Sequence, residues 1–261
     1  MNEVFAVKSR KFYSQIYHSI DRGVLQMNDT KINIPPLSMH MITAKLFTHV
    51  EKSVVAKFGD AGKDLIQQGV KDFGYKDAED IAKKATANNE NHILFNYIPI
   101  NHQTENKYGN LTIYALMAKL FAQVAKTVVN EFKGAGEDAI REGVRTFGEE
   151  RGRGIAQRAR TNGKKNTIDN YLTNYDMGRS DLFEYTTEYK HEEIEQNFTV
   201  CPFGQQWADD NMHEYGILYC QMIDPAVAKG FNPNFEVEHD QYILKEGNCH
   251  FRFKLKDEVN D

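Results

Sequence analysis

The stretch AKLFTHVEKSVVAKFGDAGKDLIQQGVKDFG at residues 44–74 returns as AKLFAQVAKTVVNEFKGAGEDAIREGVRTFG at residues 118–148. Extended to residues 44–85 and 118–159, the two copies agree at 20 of 42 positions without a gap. In the second copy Leu116, Leu120, Val124 and Val128 recur every four residues, with Phe121 and Phe132 beside them. This is the spacing of one apolar helix face. KGAGED then interrupts the pattern and offers Gly134 and Gly136 for a tight turn. A second helix follows, with Ala139, Ile140, Val144, Phe147, Arg151 and Ile155 at helical spacing. Each copy thus reads as a helical hairpin. Neither hairpin can bury its apolar face alone, so packing of one copy on the other is the simplest reason for the duplication.

The copies differ in ways that bear on function. Gly143, Gly148, Gly152 and Gly154 stud the second helix of copy two, although glycine costs about 1 kcal/mol in a helix interior. Close approach of another helix is the common cause. Arg141, Arg145, Arg151, Arg153, Arg158 and Arg160 replace Gln67, Lys71, Asp77, Glu79, Lys84 and Thr86 of copy one. Guanidinium forks bind carboxylates in a bidentate way, so if either hairpin meets an anionic ligand it should be the second. Pairing with Glu137, Glu142, Glu149 and Glu150 along a solvated helix face is the plainer account of most of these arginines.

Residues 88–108, polar and Asn-rich with Pro99, read as a connector, and TNGKKNTIDNY marks a second boundary. Beyond it LFEYTTEY and EIEQNFTVC read as a β-hairpin around a charged KHE bend. PFGQQWADDNMHEYGILYCQMID is helical in spacing, and Pro225 and Pro233 bracket a short helix ending at Gly230. FEVEHDQYILKEGNCHFRFKL is a further hairpin with Gly247 in its turn. The expected fold class is α+β: duplicated helical hairpins packed with a roughly four-stranded antiparallel sheet carrying inserted helices. The expected division is residues 1–108 with the first hairpin and residues 109–261 with the second hairpin and the sheet, one continuous domain being the alternative.

A formal charge of −5 argues against a nucleic-acid binder that relies on bulk positive charge. No window approaches the roughly 20 apolar residues of a membrane helix, and MNEVFAVKSRKFYSQIYHSIDRG lacks a signal-peptide core. A cytoplasmic protein is expected. Its three cysteines, Cys201, Cys220 and Cys249, cannot all pair within one chain and read as reduced thiols.

Cys249 shares a strand face with Phe251, Phe253 and Leu255, and Cys220 lies in the apolar run YGILYC; both suit small core residues. Cys201 stands at a strand end directly before Pro202, where a helix N-terminus would lower its pKa. Cysteine spacings of 19 and 29 residues lack the close pairs of zinc sites, and Asp209 with His213 is a weak signal, so no metal is expected. GxGxxG, GxxxxGK[ST] and GxSxG are all missing, and no cofactor is expected.

NEFKGAGEDAIREGVRTFGEERGRGIA, followed by the segment from CPFGQQW through YCQMIDPAVAKGFNPN to GNCHFRF, resembles the L-2-amino-thiazoline-4-carboxylic acid hydrolase family over roughly residues 115–255. The resemblance implies hydrolytic opening of a thiazoline ring to an S- or N-carbamoyl-cysteine. Positions on the family's motif are Cys201, Asp224, Cys220 and Cys249, taken as catalytic, and Arg145, Glu149, Arg151, Trp207 and Asn232, taken as substrate-binding. An arginine would hold the substrate carboxylate, while a thiolate, or a water activated by Asp224, would attack the amidine-like carbon. The partner expected is a small carboxylated molecule, with neither nucleic acid nor membrane. Two other functions compete: a non-enzymatic small-ligand-binding or sensory module, and an interaction protein whose hairpins form a homodimer surface.

Overall fold

The computed structural model describes residues 35–86, 92–178, 181–190 and 193–256. The N-terminal stretch read above for a leader, and the bend at His191 and Glu192, lie outside the described residues. Copy one forms α1 (Met39–Phe73) and α2 (Tyr75–Ala85), and copy two forms one long α3 (Ile113–Thr161). Ser38 and Thr112 cap α1 and α3, their side-chain oxygens accepting from Met41 N and Ala115 N.

Both long helices are broken in the middle, at Gly59 (φ 60°, ψ −136°) in α1 and at Lys133 (φ 52°, ψ −133°) in α3. The break brings Gly62 against Val54 and Gly136 against Val128. A straight helix would hold residues eight positions apart by about 12 Å. Each copy is therefore two helical arms, as the spacing predicts, but the turn pivots on Lys133 and not on Gly134 or Gly136. Copy one carries glycine at the matching position, where positive φ favours it.

The arms pack as the duplication requires. Leu46, Phe47 and Val50 of α1 face Leu120, Phe121 and Val124 of α3, each the equivalent of its partner 74 positions on. Gly69 is pressed on Val124 and Gly143 on Val50, where an added Cβ would come within 2.7 and 2.6 Å of the facing Cα atoms. The copies then diverge. Gly74 (φ 129°) ends α1 and leaves α2 as a separate piece, whereas Gly148 lies inside the second arm of α3, which runs on past it.

After α4 (Ile168–Tyr171) come strands β1 (Glu184–Lys190) and β2 (Glu193–Val200), then α5 (Pro202–Asp209) and α6 (His213–Phe231). Strand β3 (Phe235–Gln241), α7 (Ile243–Glu246) and β4 (Cys249–Leu255) complete the described chain. All strand pairs are antiparallel in the order β1-β2-β4-β3, giving the expected α+β fold with a four-stranded sheet. Two helical expectations need correction. Residues 202–224 are not one helix, because Asn211 takes a left-handed conformation (φ 54°) between α5 and α6. Pro225 does not start a helix but sits inside α6. Its missing N–H, next in the chain to Asp224, leaves the Gln221 carbonyl without its helical donor.

Helix α6 lies along the second arm of α3 at backbone contact. A Cβ at Gly152 would lie 2.1 Å from Val227 O, and one at Gly230 would lie 2.2 Å from Glu149 O. Close helix approach thus explains Gly143, Gly148 and Gly152, while Gly154 faces open space. Among the described residues no helix is long and apolar enough to cross a membrane.

Candidate functional site

Strand alternation and helical spacing bring the three thiols to one place. Cys249 opens β4 on its inward face, across from Phe198 of β2, and its sulfur accepts from Ile243 N at 3.2 Å. Cys220 and Asp224 are one turn apart on α6, and Cys201 sits at the residue that starts α5. Cys220 is pushed well above its usual pKa by burial, then by Cys201, Cys249 and Asp224. Burial pushes Cys249 up to about 12, with Cys201 and Asp224 adding to it. The four groups form one cluster. Cys201, Cys220 and Asp224 keep some area that water can reach, although all lie deep in the chain.

The reactive thiol expected at Cys201 is not what the environment produces. The N–H groups of Phe203 and Gly204 in the first turn of α5 pull its pKa down without completing a cap hydrogen bond. Burial outweighs them and raises the thiol to about 11. Desolvation of a thiolate in an apolar wall exceeds what two backbone dipoles return.

Asp224 carries the opposite message. Burial raises its carboxyl to about 6, against the pull of the Arg151 guanidinium. A carboxyl near neutrality can both take and return a proton, which is what a general base needs. Around it stand Tyr171, Tyr175 and Tyr219, all raised by burial and all sensing Asp224, with Tyr175 at about 12. Tyr242 senses the cluster too, being raised by burial and then by Cys220, Asp224 and Cys249.

Arg151 of α3 is the arginine that reaches this cluster. Its Nε and Nη2 donate to Asp176 at 3.0 and 2.6 Å in a fork, with both side chains 4% exposed. Its guanidinium carbon lies 5.3 Å from the Tyr175 ring centre. Burial alone would lower its pKa, but Tyr175 and Asp176 hold it well above the usual value. Asp176 and Tyr175 come from just beyond the boundary TNGKKNTIDNY, in residues to which the sequence analysis gave no role; the fork explains why the segment is anchored there.

The remaining expected residues lie elsewhere. Arg145 and Glu149 pair with each other, Arg145 also with Glu142, on the edge of an open groove of 520 Å³ between α3, α6 and the sheet. Arg141 pairs with Glu137 at 2.9 Å, and Arg153 lies 3.8 Å from Glu149, so the plain helix-face account holds for these arginines. Trp207 is fully buried, its Nε1 donating to Ala118 O at 2.8 Å. Asn232 donates to Asn166 O at 2.9 Å and accepts from Asn234 N at 2.9 Å, stapling the end of α6. Of the expected set, Cys201, Cys220, Cys249, Asp224 and Arg151 converge.

His239 joins them without having been expected. Its ring lies between Tyr242 and Phe251, with centroids 3.8 and 3.9 Å away, and burial drives its pKa down to about 4. The signal was its parity in FEVEHDQ, which puts it on the face of Phe235 and Val237. Among the described residues no group of three or more His, Cys, Asp or Glu side chains has the geometry to hold a metal ion.

Neither the curated proteins nor the solved structures yield a match. The family model for L-2-amino-thiazoline-4-carboxylic acid hydrolase matches residues 113–253, from the first turn of α3 to the last strand, and so takes in every member of the cluster. That span covers more than half of the sequence, and the chain belongs to the L-2-amino-thiazoline-4-carboxylic acid hydrolase family.

Proposed function

We propose that the chain hydrolyses a small cyclic C–N substrate carrying a carboxylate, with ring opening of L-2-amino-thiazoline-4-carboxylate to a carbamoyl-cysteine as the reaction. The observation that carries this reading is a buried carboxyl, Asp224, with a pKa of about 6 beside Arg151 and three thiols. At neutral pH Asp224 is mostly carboxylate. It takes a proton from a water molecule as the water oxygen bonds to the ring carbon between nitrogen and sulfur. The π pair of that carbon's C=N bond moves onto nitrogen, which receives the proton that Asp224 took. One ring single bond of the same carbon then breaks, its electron pair going to the departing heteroatom, while the hydroxyl becomes the carbamoyl C=O and passes its proton through Asp224 to that heteroatom.

Water activated by Asp224 is preferred over a thiolate attack. With Cys201 near 11 and Cys249 near 12, the thiols are neutral at working pH. They serve as a soft wall for a sulfur-containing ring. Two of the three nitrogens of Arg151 are committed to Asp176, and the third, Nη1, is the donor proposed for the substrate carboxylate.

The test is turnover of L-2-amino-thiazoline-4-carboxylate by the purified protein, followed by chromatography and by a thiol reagent. N-carbamoyl-cysteine exposes a thiol and S-carbamoyl-cysteine does not, so the assay also names the bond that breaks. Asp224→Asn is expected to lose about 10²–10⁴-fold in kcat, and Cys201→Ser much less. Full activity in Asp224→Asn sinks the assignment of the base. If the wild type turns nothing over while the compound raises its Tm, the site is a ligand-binding one.

A further inference from the structure

Among the described residues strand β1 is hydrogen-bonded along one side alone, to β2, and stands at the edge of the sheet. Lys190 pairs with Glu193 across two residues, the closing hydrogen-bonded pair of a tight hairpin. Alternation from that pair turns the N–H and C=O groups of Tyr185, Thr187 and Tyr189 away from β2. Tyr189, on this edge, is 63% exposed. An open edge of this kind accepts another strand, and proteins that keep it empty blunt it with bulges, prolines or like charges. The ladder from Tyr185 to Lys190 has no bulge, and β1 has no proline.

The residues of β1 are complementary to themselves. Laid antiparallel on a second β1 about a two-fold axis at Thr187, all seven residues pair. Glu184 meets Lys190 of the second copy, Tyr185 meets Tyr189, Thr186 meets Glu188 and Thr187 meets itself. Opposite charges and facing aromatic rings are favourable cross-strand pairs. Sliding the register by two residues is the smallest shift that keeps side chains on their faces. In one direction it sets Glu184 on Glu188, and in the other Glu188 on Glu188. The opposite edge of the sheet has no such register. Glu236, Glu238 and Asp240 take every second place of β3, so an antiparallel pairing of β3 with itself that overlaps there brings acid to acid.

We propose that β1 is a homodimer surface, through which two copies of the chain join their four-stranded sheets edge to edge into one continuous antiparallel sheet. The helical hairpins of α1 and α3 cover each other within one chain, so the sheet edge is the surface left for a second copy. Such a contact uses the same strand on both sides, closes on itself and stops at two copies. It is independent of the hydrolase reading.

Sedimentation velocity and light scattering of the full chain decide it, with hydrogen exchange of the β1 amides read in the same samples. A dimer is expected that gives way to monomer on dilution through the micromolar range. The amides of Tyr185, Thr187 and Tyr189 are expected to be protected in the dimer and to exchange fast in the monomer. Thr187→Pro removes an N–H that points away from β2, and is expected to abolish the dimer while the far-UV spectrum stays that of the wild type. Glu184→Lys, at an exposed position, sets lysine against Lys190 of the second copy and is expected to weaken dimerisation about tenfold. A wild type that stays monomeric at about 100 μM, where a micromolar complex is formed, overturns the proposal. A dimer whose strength both variants leave unchanged overturns it too, because that dimer forms through another surface. Protection of the three amides at every dilution also overturns it, since another segment of the same chain then covers the edge. Should Thr187→Pro fail to fold, Glu184→Lys and the exchange rates decide by themselves.

Discussion

Phe58 and Phe132 stack face to face, their ring centroids 3.7 Å apart and their planes 7° from parallel. They are the same residue of the two copies, 74 positions apart, so the molecule places one side chain against its own duplicate. Gly69 on Val124 and Gly143 on Val50 repeat the relation with the partners exchanged. Such reciprocity is what a two-fold interface looks like when both halves belong to one chain. Each of Phe58→Ala and Phe132→Ala is expected to lower stability by about 1–2 kcal/mol, both rings being half-buried. Their double-mutant cycle in urea unfolding should return a coupling of about 0.5–1.5 kcal/mol. A coupling of zero would show that the stack contributes area alone.

The pivot of copy two carries strain that copy one avoids. Lys133 holds φ 52° and ψ −133°, a region where a Cβ is disfavoured, and Gly59 holds nearly the same angles without one. Lys133→Gly is expected to stabilise the protein by about 1 kcal/mol, and Gly59→Ala to destabilise it by about 1–2 kcal/mol. Chemical denaturation of both variants checks the pair, and a destabilised Lys133→Gly would sink this account of the turn.

Where α3 meets α6, no side chain fits. Gly152→Ala would drive a methyl group into Val227 O and the Phe231 backbone, neither of which can swing aside. A loss of about 3 kcal/mol is expected, visible as a lower Tm. Gly154→Ala, two residues on and facing open space, should instead be neutral or gain up to about 1 kcal/mol. The contrast separates helix propensity from close packing.

Asp224 makes stability and activity move in opposite directions with pH. Its folded-state pKa, about 6, lies above the usual carboxylate value because burial disfavours the charge. The folded state therefore binds the proton more tightly than the unfolded one, and this contribution to stability is lost as pH rises through about 6. Activity that needs the carboxylate should rise over the same interval, giving kcat/KM an acid limb with an apparent pKa near 6. Asp224→Asn is expected to lose that limb with the activity and to melt at a higher temperature at pH 7. A melting temperature that falls instead would contradict the burial account.

Much of this was legible in the chain. The stripe from Leu116 to Val128 and its counterpart in copy one fixed two hairpins packed on each other, because periodicity of apolar residues is a property of the sequence itself. The parity of Cys249 with Phe251 and Phe253, and the one-turn spacing of Cys220 and Asp224, gave the orientation of each group. What periodicity does not contain is distance between elements. That the inward faces of α6, β4 and the start of α5 meet in one place depends on packing of segments far apart in the chain. Lys133 as the pivot was hidden for a different reason: glycine next to it satisfies the same local rule, and tertiary packing chose the costlier residue. Asp176 was invisible because the fork it completes with Arg151 spans a segment with no pattern at all.

The mutual burial of the copies has a consequence for synthesis of the chain. The apolar stripe of copy one, Leu46, Phe47 and Val50, has its cover 74 residues downstream. At about 5–20 residues per second, the first hairpin leaves the ribosome several seconds before the segment that shields it. During that interval its stripe is a sticky surface, and a chain truncated before α3 would keep it so. Copy two never faces this wait, since its counterpart has already been made.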